Sequence, residues 1–135
     1  MIISADENLL REGSAMEPIE IRRAVMGDAY VDAQYADATP IQREWQDYIT
    51  QTAWGVWARE GALSRRDRSL LVMAITAALG RMEEFRLHAG ARSRTGVTDD
   101  ELDELLFQLA AYAGAPAGLA AKRVVNDLRA TEHGG

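Results

Sequence analysis

A cation, a carboxylate and an imidazole fall within one short run, Arg81-Met82-Glu83-Glu84-Phe85-Arg86-Leu87-His88. On a helix, Arg81, Glu84 and His88 stand at i, i+3 and i+7 and project from one face. Burying such a trio is costly unless its members satisfy one another or a ligand. Arg81 suits a bidentate grip on a carboxylate. His88 can donate to a developing oxyanion or move a proton, and a carboxylate one turn away favours its protonated form. Glu84 can orient His88 or carry the proton itself, and the spacing leaves open which of the two is the acid. The same spacing also fits a plainer arrangement, a solvated face with an Arg81–Glu84 pair and a hydrogen-bonded core histidine. Glu83 and Arg86 fall on other faces and read as surface or interface charges.

The rest of the chain narrows the chemistry. It contains no cysteine, which excludes disulfides, thiolate metal sites and thiol redox reactions. His133 is the second of two histidines, and Glu84 with His88 cannot close a zinc site alone, so no metal is expected. No Gly-rich phosphate loop and no nucleophile elbow occur. The net charge of −6 gives no general attraction to nucleic acid or to anionic membranes. No apolar run reaches the length of a membrane span, and the first residues lack the basic and apolar regions of a signal peptide. The expectation is a soluble cytoplasmic protein.

Helices must position these groups. With 135 residues, 47% of them apolar and 27% charged, the composition is that of one globular domain. Residues 1–16 lack periodicity and read as a flexible arm, 17–130 as the domain and 131–135 as a frayed tail. Pro18 opens a short helix ending at Gly27, and 28–38 add another helical turn or two. Thr39-Pro40-Ile41-Gln42 is a capping box that starts a helix to about Trp54, stopped by Gly55. Ser64 caps a helix through about Leu79, whose Leu70–Ile75 run is apolar almost all round and predicts a central, buried element. Gly80 breaks it. The helix carrying the octet should run from Arg81 to Thr95, with Gly96 as its left-handed stop. Thr98-Asp99-Asp100-Glu101 is a second capping box, and Leu102, Leu105, Leu106 and Leu109 form the apolar stripe of the helix it starts. Gly114 ends that helix, and Pro116 opens a last one to about Ala130. Nothing reads as a strand, so the fold class is an all-α bundle.

The octet sits in an ordered series of motifs. Ile21-Arg22-Arg23-Ala24-Val25-Met26-Gly27-Asp28 and Trp54-Gly55 precede it, as does the run Gly61 to Leu70 with Arg65, Arg66 and Arg68. Thr95-Gly96-Val97-Thr98 and Tyr112-Ala113-Gly114-Ala115-Pro116-Ala117 follow it. Over about residues 20–128 this series resembles the carboxymuconolactone decarboxylase family. The resemblance implies an AhpD-like helical bundle that assembles as a ring of subunits, a trimer or hexamer. AhpD-like redox proteins carry Cys-x-x-Cys ahead of the histidine. Here Arg81 and Glu84 hold those positions, and without sulfur the redox reading fails.

The substrate implied by the resemblance is 4-carboxymuconolactone, handled in protocatechuate catabolism. Loss of CO₂ from its γ-carbon sends charge through the ring alkene to the lactone oxygen, and protonation at the α-carbon gives β-ketoadipate enol-lactone. Conjugation in the substrate is the electron sink, so no pyridoxal, thiamine, flavin or metal is required. The protein must grip a dianion, stabilise the oxyanion and deliver a proton. On this reading Glu84 and His88 are catalytic, Arg81 and Arg68 grip carboxylates, and Trp54 and Tyr112 line the pocket. Plainer roles stand beside these: Arg65, Arg66 and Arg68 as solvated or ion-paired groups, Trp54 and Trp57 as packing. Two other functions remain open, a same-fold enzyme acting on a different lactone or β-keto acid, and a non-catalytic oligomeric binding protein.

Overall fold

A computed structural model describes residues 16–134. The expected N-terminal arm lies outside them, apart from Met16. The described residues form helices and turns with no strand: α1 (Pro18–Met26), α2 (Asp28–Tyr35), α3 (Pro40–Ile49), a π-helical turn (Thr50–Trp54), α4 (Gly55–Trp57), α5 (Arg65–Ala78), α6 (Met82–Gly90), α7 (Arg92–Thr95), α8 (Asp99–Ala113) and α9 (Ala115–Gly134). The fold is all-α. The chain divides into two compact units, one ending at Ala62 and the other beginning at Leu63.

In the first unit Ile21, Val25, Met26, Val31 and Trp54 are buried. Thr39 starts α3 as its sequence indicates, with the Thr39 side chain accepting from the Gln42 backbone and the Gln42 side chain accepting from that of Thr39. The helix does not stop at Gly55. It widens into the π turn and continues to Trp57, a correction to the expected end. No residue of α3 is buried, whereas the π turn buries Thr50 and Trp54.

The second unit packs around Met73, Phe85, Leu102, Leu106 and Val125, with α8 against α9 and α5 against α6. Removing a side chain the size of Phe85 from water is worth about 1.5–3 kcal/mol. Ser64 caps α5 by accepting from the Asp67 backbone at 3.1 Å. The helix is not buried all round, as its composition suggests. Ser69, Met73 and Ala77 face the core, while Leu71, Ile75 and Leu79 are 46%, 55% and 66% exposed. Thr98 completes the capping box with Glu101 that starts α8.

The helix expected over Arg81–Thr95 is two. It breaks at Ala91, where φ is −89° and ψ is 0°, and resumes as α7 until Gly96, whose φ of 87° only glycine adopts without strain. Arg92 holds the break: Nη1 donates to the Ala89 carbonyl at 2.8 Å, Nε to Asp99 at 2.9 Å and Nη2 to Glu132 at 2.7 Å. The Glu132 contact also explains why α9 runs past Ala130 instead of fraying there.

Candidate active site

The octet begins on the turn between α5 and α6. Gly80 takes φ 75°, the left-handed region that reverses the chain with no side-chain penalty. The Arg81 N–H then donates to the Thr76 carbonyl at 2.8 Å, and the Arg81 carbonyl accepts from Phe85 at 3.0 Å. Arg81 is therefore the N-cap of α6 and stands just outside it. Its side chain is exposed. Glu83 and Glu84 occupy the first turn of α6, where the positive end of the helix dipole favours carboxylates.

Glu84 and His88 sit one turn apart on α6, and Phe85 and Ala89 beside them are fully buried. Glu84 is exposed and His88 half-buried, and the Glu84 charge acts on the imidazole at the edge of the core. The His88 Nδ1 atom is shut off from solvent. Burial lowers the pKa of the ring to about 4, and the Glu84 charge raises it by less. The expectation that Glu84 keeps His88 protonated is corrected accordingly. At neutral pH the ring is uncharged, able to donate through one nitrogen and accept through the other.

The other expected site residues lie on other elements. Arg68 lies in α5 and donates from Nε to the Leu63 carbonyl at 3.1 Å. Its neighbour Arg66 pairs with Glu101 and Asp67. Tyr112 is 86% exposed and lines a groove of about 880 Å³ along α5 and α8, with Leu70, Leu71, Ala74, Leu105 and Leu109 among its walls. None of Arg81, Glu84 and His88 lines this groove, and Asp100 and Glu104 on its wall disfavour a dianion by like charge. The groove is a poor substrate site, and the octet carries the better chemistry. Trp54 belongs to the core of the first unit, its ring 5.1 Å from that of Trp57. Among the described residues no group of three or more His, Cys, Asp or Glu could hold a metal ion, and no helix is long and apolar enough to cross a membrane.

Arg22 escaped the sequence reading as a site residue. It is 4% exposed, and it donates from Nη1 to Thr50 Oγ1 at 2.9 Å and from Nη2 to Gln46 Oε1 at 2.8 Å. Its position was readable from the helix period. Ile21, Val25 and Met26 form the buried face of α1, and an arginine one residue after Ile21 and four before Met26 falls inside that stripe.

The described residues are all-α, and α6 carries Glu84 and His88 one turn apart in a chain free of cysteine. Residues 43–127 match the model of the carboxymuconolactone decarboxylase family, and the chain is a decarboxylase of that family. It is 37% identical over 124 residues to a 4-carboxymuconolactone decarboxylase of Acinetobacter baylyi, covering 91% of this chain and 88% of that one. It is 36% identical over 117 residues to the nitrosuccinic acid decarboxylase npaB of Metarhizium robertsii, covering 83% and 81%. No solved structure gives a significant match.

Proposed function

We propose that the protein decarboxylates 4-carboxymuconolactone to β-ketoadipate enol-lactone without a cofactor, using the α6 face. The observation that carries this reading is the Glu84–His88 pair in a chain similar over 91% of its length to a decarboxylase of that substrate. Arg81, exposed at the N-cap, and Arg68 are assigned as carboxylate grips. As CO₂ leaves, the neutral His88 ring donates to the lactone oxygen, a dipolar stabilisation of the oxyanion. Glu84, exposed to water, relays a proton from solvent to the α-carbon once CO₂ has left. Leu71 and Ile75 on the uncovered face of α5, with Leu79 just past its end, favour a closed homo-oligomer.

A second reading has its own support. The npaB relative is nearly as similar and its name carries a different acid, which supports another carboxylated substrate for this chain. A turnover assay separates the two. Purified protein is expected to convert 4-carboxymuconolactone to enol-lactone and CO₂; release of CO₂ from nitrosuccinic acid alone would favour the second.

A further inference from the structure

Arg22 and Arg23 are neighbours in sequence and opposites in environment. Arg23 lies at the surface and pairs with Asp28 at 3.2 Å and Asp32 at 2.9 Å. Arg22 is buried, and both acceptors that it reaches are neutral oxygens, those of Thr50 and Gln46. Its Nε is buried with no hydrogen-bond partner among the described residues, and no Asp or Glu among them lies within ion-pair distance. A guanidinium cannot shed its proton to escape this cost. Charge withdrawn from water is retained where an anion compensates it.

The two acceptors show how an anion could be seated. Thr50 Oγ1 donates its own proton to the Gln46 carbonyl at 2.8 Å, which fixes its lone pairs on the guanidinium. It opens the π turn, a feature often found at functional sites. Gln46 is only half-buried, and its amide oxygen accepts from Arg22 Nη2 at 2.8 Å. A carboxylate that displaces this oxygen exchanges a neutral acceptor for a charged one and gains the idle Nε–H as a second donor.

We infer that Arg22, backed by Thr50 and screened by Gln46, is a binding site for the carboxylate of a small organic acid. Arg22 is a binding residue here. The choice of a carboxylate over other anions rests on the decarboxylase reading; the need for an anion rests on the geometry alone.

All three tryptophans, Trp45, Trp54 and Trp57, lie in the same unit as Arg22, which gives the test a local reporter. Succinate is titrated into the full-length protein, with neutral succinamide and inorganic sulfate as controls, following tryptophan fluorescence and thermal melting. Succinate is expected to shift both saturably, and succinamide neither. Sulfate acting as strongly as succinate would overturn the carboxylate assignment. R22M should weaken succinate binding about tenfold or more, while melting at or above the wild-type temperature without succinate, because an uncompensated buried charge has gone. R22K provides a variant that keeps the charge and loses the fork; it too should bind more weakly. Q46A, with the screening oxygen removed, should bind more tightly. A wild type that ignores succinate, or an R22K protein that binds it normally, overturns the site. Turnover is read separately. Succinate binding without turnover of 4-carboxymuconolactone sinks the proposed substrate and leaves the anion site standing; turnover with no succinate response does the reverse.

Discussion

Glu84 raises the proton affinity of His88 from one helical turn away, and burial of the ring overrides it, leaving a pKa of about 4. The fold therefore stores the neutral imidazole. The unfolded ring, with its ordinary value of 6.5, binds a proton at higher pH than the folded ring does. Stability from this group is complete above pH 6.5 and is lost as pH falls towards 4. The difference in unfolding free energy between wild type and His88→Gln should shrink by roughly 3 kcal/mol from pH 7 to pH 4. Denaturant titrations at a series of pH values check this, and a pH-independent difference would contradict it.

Turnover should depend on both members of the pair. Glu84→Gln and His88→Ala are each expected to lower kcat on 4-carboxymuconolactone by about 10²-fold or more, the usual scale for a general acid or an oxyanion donor. Because the wild-type ring is already neutral, His88→Gln, which keeps an N–H donor, should retain more activity than His88→Ala. Near-normal kinetics in His88→Ala would remove the site from α6.

Arg81 is exposed at the N-cap of α6, so its replacement should leave the fold intact. Arg81→Ala is expected to raise KM at least as clearly as it lowers kcat, the mark of a group that binds ground and transition states alike. Steady-state kinetics settle the split. A fall in kcat with KM unmoved would instead place Arg81 at the reacting carbon.

The Arg92 network should show itself in acid. Hydrogen bonding to Arg92 holds the Asp99 carboxyl below its ordinary value, so its contribution is present above that value and disappears as pH falls through the folded one. Asp99→Asn should be less stable than wild type at pH 7 and should converge with it at low pH. Acid-unfolding curves followed by circular dichroism test the convergence.

Assembly is directly measurable. Leu71, Ile75, Phe107 and Leu119 are exposed on helices of the second unit and Leu79 at the end of one, more apolar surface than a lone subunit comfortably leaves in water. Light scattering is expected to give a closed oligomer at micromolar concentration. A monomer mass together with full activity would show that the reaction needs no second copy.

Helix starts were legible because capping is local. Thr39, Ser64 and Thr98 each meet a partner three residues on, and Gly96 stops its helix by its own backbone freedom. What failed to show was tertiary in origin. The break at Ala91 depends on Arg92 reaching Asp99 and Glu132, residues from two other helices. The continuation past Gly55 follows a π turn whose Thr50 accepts from Arg22, 28 residues earlier. In α5 the run of leucine and isoleucine identifies apolar positions but not which of them the same subunit covers. At the candidate site the charges around His88 were readable from spacing, and the desolvation that outweighs them was not, because it comes from the packing around the ring.

The π turn at Thr50–Trp54 acts as a change of phase in the chain. A regular helix advances about 100° per residue, so one surplus residue turns everything after it by about that angle. Ahead of the turn no side chain of α3 is buried; at its end Trp54 is in the core. Between Thr39 and Trp54 the number of residues thus sets an angle as well as a length. Relatives can exchange side chains freely along the exposed α3, but the loss or gain of one residue there would rotate Trp54 out of its seat, so substitution and insertion should have very different histories in this stretch.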